Sequence, residues 1–149
     1  MRRRVSVHST FDTTSRLGVR AQPNQSPNAR VPALDLDSVY GAGPIADPLL
    51  YDPRDKAKFK LESGGQFEDL ARTADGRAII ADPRNDENLV IAGLQSAFLL
   101  FHNTVVDRVR QENPVLDAEA VFDSARRQVT WHYQWMILHE FLPQIVGSG

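Results

Sequence analysis

The chain has 149 residues, of which 42% are hydrophobic and 24% are charged, a composition typical of one globular domain or part of one and unlike that of a disordered protein. Cysteine is absent, so disulfides, thiolate metal sites and a cysteine nucleophile are excluded. The net charge of −2 is uneven, because residues 1–30 hold six arginines against Asp12 alone, a balance of +5, and the rest of the chain carries −7.

The basic N-terminal arm, which begins MRRRVSVHST, has the charges of a signal peptide but lacks the apolar run of roughly 7 to 15 residues that should follow them. It also lacks the interleaved aromatic residues and the motif of a nucleic-acid-binding segment. We therefore expect a solvated arm and no nucleic acid partner. No segment comes close to the roughly 20 apolar residues of a transmembrane helix, so no membrane span is predicted.

Residues 1–60 predict a loop-rich segment. Six of the nine prolines lie there, among clusters of Asn, Ser, Gly and Asp such as NQSPNA and YGAGPIADP. These residues favour turns and interrupt regular elements. The N-terminal third of the chain is therefore expected to be irregular.

The apolar spacing predicts a long helix over Glu87–Arg110, with Asn85 or Asp86 as its N-terminal cap. Gly93 lowers helix propensity by about 1 kcal/mol relative to alanine, which indicates close packing at that point. Apolar residues lie on most faces of this helix, so we expect it to be buried among other elements. The residues of the main stripe are Val90, Leu94, Phe98, Phe101, Val105 and Val109.

A second helix is predicted over Ala118–Phe141, with Asp117 as its cap and Pro143 just beyond its end. Four aromatic residues lie in its C-terminal half. We therefore expect that half to be largely covered by other parts of the protein. Two such helices carry more apolar surface than they can hide against each other. We expect the chain to be one piece of a larger domain, with residues 80–147 forming its helical core segment. The aromatic residues are Trp131, Tyr133, Trp135 and Phe141.

The segment DPRNDENL, residues 82–89, places Arg84 among three carboxylates just before the first long helix. One reading is a solvated turn, held by an ion pair of Arg84 with Asp82 or Asp86 that contributes about 0 to 1 kcal/mol if it is exposed. The other reading is a catalytic arginine. Residues 82–89 alone leave both open.

Three segments in order carry a family resemblance: LDLDSVYGAGP, then DPRNDENLVIAGLQSAFLLFHNTVVDRV, then SARRQVTWHYQWMILHEFLPQIVG. Together they resemble the animal-type haem peroxidases, the superfamily of myeloperoxidase and the cyclooxygenases, and most closely its bacterial members. The resemblance covers most of residues 30–147. It implies a mainly α fold, here a partial domain over residues 1–149.

The resemblance implies haem b as cofactor and hydrogen peroxide with a small-molecule donor as substrates. Arg84 matches the arginine of the family motif R-x-x-E, which lies over the peroxide side of the haem. A fixed cation there would stabilise the negative charge on the departing oxygen when the O–O bond breaks. Glu87 matches the carboxylate that contacts the haem edge, and its alternative role is a first-turn acid at a helix N-terminus.

The resemblance also implies a calcium loop, with Asp35, Asp37 and the carbonyl of Ala33 as ligands. Calcium takes roughly 6 to 8 oxygen ligands. Val31 stands where the family has a threonine ligand, and the aspartate that should follow the distal histidine is absent. The alternative is an acidic turn before Tyr40.

The histidines depart most from the family. His8 matches the distal base only if one residue is skipped, and its other reading is a residue near a terminus without that role. His102, followed by Asn103, fits a structural histidine on a helix face. The proximal iron ligand should lie downstream of FLPQIVG, so none of the histidines present matches it.

The sequence therefore predicts part of a haem-dependent peroxidase, an enzyme related to oxidative stress, that on its own binds haem weakly. The alternative is a non-catalytic helical interaction module derived from the same fold, which would self-associate through exposed apolar helix faces. Members of the family are often secreted, but the sequence leaves the compartment open.

Overall fold

A computed structural model of the chain describes residues 34–63 and 68–147, all within one compact unit, Leu34–Gly149. Of the candidate site residues, His8 and Ala33 lie outside this part of the chain. The protein is mainly α, as the sequence predicts. Two long helices dominate it, and short elements precede them.

The segment before the long helices is built from short helices and two small hairpins. Helices α1 (Asp37–Tyr40) and α2 (Gly43–Ala46) lead through a 3-10 turn, Pro48–Leu50, into strands β1 (Tyr51–Asp52) and β2 (Asp55–Phe59). Strands β3 (Leu61–Ser63) and β4 (Glu68–Leu70) form a second antiparallel pair, with Leu61 opposite Leu70. The irregular character was predicted, but the hairpins were not.

Helix α3 spans Leu89–Glu112, close to the predicted bounds. Its cap is Asn88, whose side chain accepts a hydrogen bond from the Ile91 N–H at 3.0 Å, so the prediction of Asn85 or Asp86 was wrong. Those two residues instead belong to a separate 3-10 turn, Pro83–Asp86. Gly93 was also misread, because a Cβ added there would meet nothing within 4 Å.

Helix α4 spans Ala118–Met136 and begins where Asp117 predicts, since that carboxylate accepts from the Ala120 N–H at 2.8 Å. The helical path then continues through a π-helical segment, Ile137–Phe141, into α5 (Leu142–Val146). Pro143 therefore does not end the path. It occupies the first turn of α5, a position that proline tolerates.

The core lies between α3, α4 and the first hairpin. Asn103 on α3 brackets Phe59 of β2, accepting from its N–H at 2.8 Å and donating to its carbonyl at 3.0 Å. Arg110 binds Asp55 with two hydrogen bonds of 2.5 and 2.7 Å. These hydrogen bonds join α3 to the first hairpin beside a cluster of buried aromatic and aliphatic side chains. Its fully covered side chains include Tyr40, Tyr51, Leu70, His102, Val106, Val109, Val121 and Val129.

Much of the apolar surface expected to be covered is exposed. On α4 and the π segment, Trp131, Trp135 and Phe141 expose 60%, 54% and 55% of their surface, and Leu89 and Val90 on α3 expose still more. The predictions that α3 is buried on most sides and that the aromatic half of α4 is largely covered were therefore wrong for this chain. Periodicity predicts which residues share a face but not what covers it.

Helix α3 is long and apolar enough to cross a membrane by length and composition alone, contrary to the reading of the sequence. The core helix of a globular protein meets the same criterion. One face of α3 packs Leu99, Val106 and Val109 into the core. The absence of a membrane span therefore stays a prediction.

Candidate active site

The turn that carries Arg84 starts from a buried acid. Asp82 is 1% exposed and begins the 3-10 turn Pro83–Asp86, and its carboxylate accepts from the backbone N–H of Arg84 at 3.0 Å. Pro83 follows with its backbone φ fixed near the helical value. The Asp-Pro pair is thus a local sequence signal for the start of a turn.

The side chain of Arg84 folds back onto the same acid. Its Nε lies 2.9 and 3.2 Å from the two carboxylate oxygens of Asp82, and one Nη lies at 2.5 Å. The arginine side chain is 45% exposed whereas that of the aspartate is 2% exposed. Hydrogen bonding to Asp82 raises the pKa of Arg84 further above its ordinary value. The result is a permanent cation that reaches solvent from a buried carboxylate anchor.

Two further contacts hold the turn against the rest of the fold. The Asn85 amide donates to the carbonyl of Ser38 at 3.1 Å and to Oε1 of Gln95 on α3 at 2.9 Å. Asp86 receives two hydrogen bonds of 2.8 Å from Arg72. Of the two ion-pair partners considered for Arg84, the structure therefore pairs it with Asp82 and gives Asp86 to Arg72. Sequence reasoning missed Arg72, Gln95 and the role of Asn85, because nothing local marks partners 10 to 47 residues apart.

Glu87 ends the 3-10 turn, and its N–H donates to the Arg84 carbonyl at 3.3 Å. It is exposed, and α3 begins two residues later with the exposed side chains of Leu89 and Val90. A cleft of about 510 Å³ lies beside this helix start. Neither Arg84 nor Glu87 lines it. Its lining residues are Glu68, Asp69, Arg72, Asp86, Asn88, Leu89, Ala92, Gly93 and Ser96.

Asp35 and Asp37, the predicted calcium ligands that the structure describes, lie at the start of helix α1. Asp35 accepts from the Asp37 N–H at 3.2 Å, which starts helix α1. The flanking Leu34 and Leu36 both have positive φ, 47° and 58°, a conformation unusual for leucine. Within residues 34–63 and 68–147 no three His, Asp or Glu side chains come together as a metal site would need. Two carboxylates fall well short of the roughly 6 oxygens that calcium requires, so calcium stays a prediction.

His102 is a structural histidine, as predicted. It is fully buried, with Nδ1 at 3.0 Å from the Tyr40 hydroxyl and Nε2 at 2.9 Å from the Ala57 carbonyl. Burial lowers its pKa to about 4. Both ring nitrogens are engaged, so His102 does not fit an iron ligand. His132 is exposed on α4, and the Trp135 ring packs against that of His139.

The comparisons with known proteins agree with the resemblance. The model of the animal haem peroxidase family matches residues 2–149, and the chain belongs to that family. It is 31% identical over 71 residues to a dual oxidase of Drosophila melanogaster, a match that covers 48% of the chain and 5% of that protein. It is 27% identical over 122 residues to peroxidase skpo-1 of Caenorhabditis elegans, covering 82% of the chain and 18% of that protein. The chain thus spans less than a fifth of either relative.

Haem is a flat, mostly apolar ring with two anionic side groups and an iron that takes an axial ligand. The described residues fit one face of such a group. Arg84 supplies an exposed cation with a fixed position, Glu87 follows one turn later, and Leu89 and Val90 supply uncovered apolar surface. An exposed cation and uncovered apolar side chains would suit such a group, and His102, with both ring nitrogens hydrogen-bonded, offers no ligand for its iron.

Proposed function

We propose that the chain is part of a haem-dependent peroxidase in which hydrogen peroxide oxidises a small-molecule donor, with Arg84 and Glu87 on the peroxide side of the haem. When bound, the haem supplies the redox chemistry. One observation carries the proposal: an arginine that is nearly half exposed is held at three contacts by a carboxylate that is almost fully buried.

This arrangement suits a fixed positive charge. Breaking the peroxide O–O bond puts negative charge on the departing oxygen, and a donor already in position stabilises that charge without reorganising. Asp82 holds the guanidinium through Nε and Nη, and Asn85 ties the turn to α3 through Gln95. An arginine without this anchor would lose side-chain entropy when it took up the position that stabilises the charge. Because Asp82 already holds Arg84 there, that entropy loss is smaller during the reaction.

Glu87 would hold the haem edge from the start of α3. Glu87 lies two residues before the start of a 24-residue helix and close enough to Arg84 for the two charges to interact. Leu89 and Val90 would lie against the ring and exclude water from it. The role of each residue follows from the family motif, and the local geometry is compatible with it.

The test compares two arginine variants of the full chain. Hemin is titrated while the Soret band is followed, and turnover is measured with hydrogen peroxide and a chromogenic donor. Arg84→Gln should lower turnover by roughly 10²- to 10³-fold, the usual effect of removing one charge-stabilising donor. Arg77→Gln is the matched control, because Arg77 is an exposed arginine nearby that pairs with Asp75. Given measurable haem-dependent turnover in the wild-type chain, equal turnover in the two variants would refute the role of Arg84.

A second candidate function is self-association as a non-catalytic module. Exposed apolar side chains recur every three or four residues from α4 through α5, which is the pattern of a helix face that packs against another chain. Sedimentation over a range of concentrations tests it. A monomer at every concentration would exclude this candidate. The residues are Trp131, Trp135, Leu138, Leu142 and Ile145.

A further inference from the structure

A buried polar contact in the described core joins Tyr40 of α1 to His102 of α3, 62 residues apart, with 3.0 Å between the hydroxyl and Nδ1. Both residues are 0% exposed. The peroxide-side turn does not use either of them. The Tyr40 phenol and the His102 imidazole thus form a buried hydrogen-bonded pair outside the proposed site.

The direction of this hydrogen bond follows from the other side of the ring. Nε2 lies 2.9 Å from the Ala57 carbonyl, which can only accept, so Nε2 carries the hydrogen. Burial keeps the imidazole neutral, because it lowers the pKa of His102 to about 4. Nδ1 then has a free lone pair, and the Tyr40 hydroxyl is the donor.

A phenol that donates to a base is prepared for one-electron oxidation. Loss of an electron makes the hydroxyl proton strongly acidic, and in an interior without water the proton needs an acceptor already within hydrogen-bond distance. Nδ1 of His102 is such an acceptor. Tyr51 provides the contrast, because its hydroxyl donates at 2.8 Å to the backbone carbonyl of Tyr40, which is a very weak base.

The surroundings protect a radical at this position. The rings of Phe59, Phe122 and His102 lie 5.3, 6.0 and 5.3 Å from the Tyr40 ring, centroid to centroid, and exclude solutes from it. The guanidinium carbon of Arg126 lies 5.1 Å from the ring centroid. This cation on α4 disfavours a lasting positive charge on His102, so the proton returns when the radical is reduced.

We propose that Tyr40 is a redox-active tyrosine and that His102 is its proton acceptor. In the step, the O–H bond of Tyr40 breaks, an N–H bond forms at Nδ1 of His102, and the electron passes to a one-electron oxidant. The products are a neutral phenoxyl radical and an imidazolium that still donates through Nε2 to Ala57. The natural oxidant would be a haem that has reacted with peroxide, and this part of the proposal rests on the proposed function. The proton transfer from Tyr40 to His102 does not depend on it.

The test uses the full chain without haem and a photogenerated tris(bipyridine)ruthenium(III) complex as oxidant, so failure of haem binding does not affect it. Electron paramagnetic resonance (EPR) after freeze-quenching detects the tyrosyl radical and separates it from any tryptophan radical. In a Tyr133→Phe background, which removes the third tyrosine of the chain, Tyr40→Phe should lose the tyrosyl signal, whereas Tyr51→Phe, the same change at a second buried tyrosine, should keep it. A wild-type chain without a tyrosyl signal, or a Tyr40→Phe chain that retains it, overturns the proposal.

High-field EPR of the wild-type chain gives a second readout that needs no variant, should Tyr40→Phe not fold. After the transfer, the Nδ1–H of His102 donates to the phenoxyl oxygen, which lowers the largest g value and adds a coupling to a solvent-exchangeable proton. A radical on Tyr51 would lack this donor. A phenoxyl signal without a hydrogen bond therefore contradicts the assignment to Tyr40.

Discussion

Acid should destabilise the fold through His102 before it breaks the ion pairs of Asp55 and Asp86. The folded protein holds this imidazole neutral, with a pKa of about 4, and the unfolded chain returns it to its ordinary value of 6.5. Burial is the main cause of the difference, and the Arg126 charge adds to it. Between these two values the unfolded state binds more protons than the folded state, so stability falls as the pH falls.

The size of the effect follows from the difference in pKa. The stability that His102 contributes is fully present above pH 6.5 and is lost as the pH falls to about 4, with a maximum slope of about 1.4 kcal/mol per pH unit. The total is about 3 kcal/mol. This is a large share of the roughly 5 to 15 kcal/mol that stabilises an ordinary domain.

The carboxylates act in a lower pH range. Hydrogen bonds from Arg110 and Arg72 lower the pKa values of Asp55 and Asp86 below the ordinary 3.8. The stability that these pairs contribute is therefore present above pH 3.8 and is lost only as the pH falls through the lower, folded-state values. Between pH 6.5 and 4, therefore, the contribution of His102 changes while the Asp55 and Asp86 pairs stay intact.

Urea unfolding, followed by circular dichroism at a series of pH values, measures the free energy of unfolding directly. His102→Gln should be less stable at neutral pH and should lose most of the slope in this interval. His132→Gln is the matched control, because His132 is exposed on α4, and it should keep the slope. An unchanged slope in His102→Gln would show that another group causes the acid sensitivity.

Three further substitutions test the backbone, each by its change in urea midpoint. Gly93→Ala should stabilise the protein by about 0.5 to 1 kcal/mol, because the added Cβ meets open space in the second turn of α3; destabilisation would mean that this face is covered. Asp117→Ala should cost about 1 kcal/mol by leaving the Ala120 N–H without its cap, and no loss would show that the cap is idle. Gly41→Ala should destabilise the fold, since φ is +56° and the Cβ would lie 2.6 Å from Asp47 Oδ2; a neutral result would indicate that the turn can relax.

Signals that act within one helical turn were readable from the sequence. Asp117 predicted the start of α4 because a cap needs only the N–H three residues further along the chain. The apolar period located α3 to within two residues at both ends. The family was likewise evident from three short segments in order. The cap of α3 was misread because Asp82 and Pro83 start a separate turn that takes up Asn85 and Asp86.

The sequence by itself determined the helical class, the family and the position of Arg84 before the first long helix. Only the tertiary structure decided that Asp82 anchors this arginine, that Tyr40 meets His102 across 62 residues, and that Trp131 is left exposed. The physical reason is that side-chain spacing fixes which residues share a helix face. Which partner reaches that face, and whether water does, depends on how distant segments pack, which local patterns do not encode.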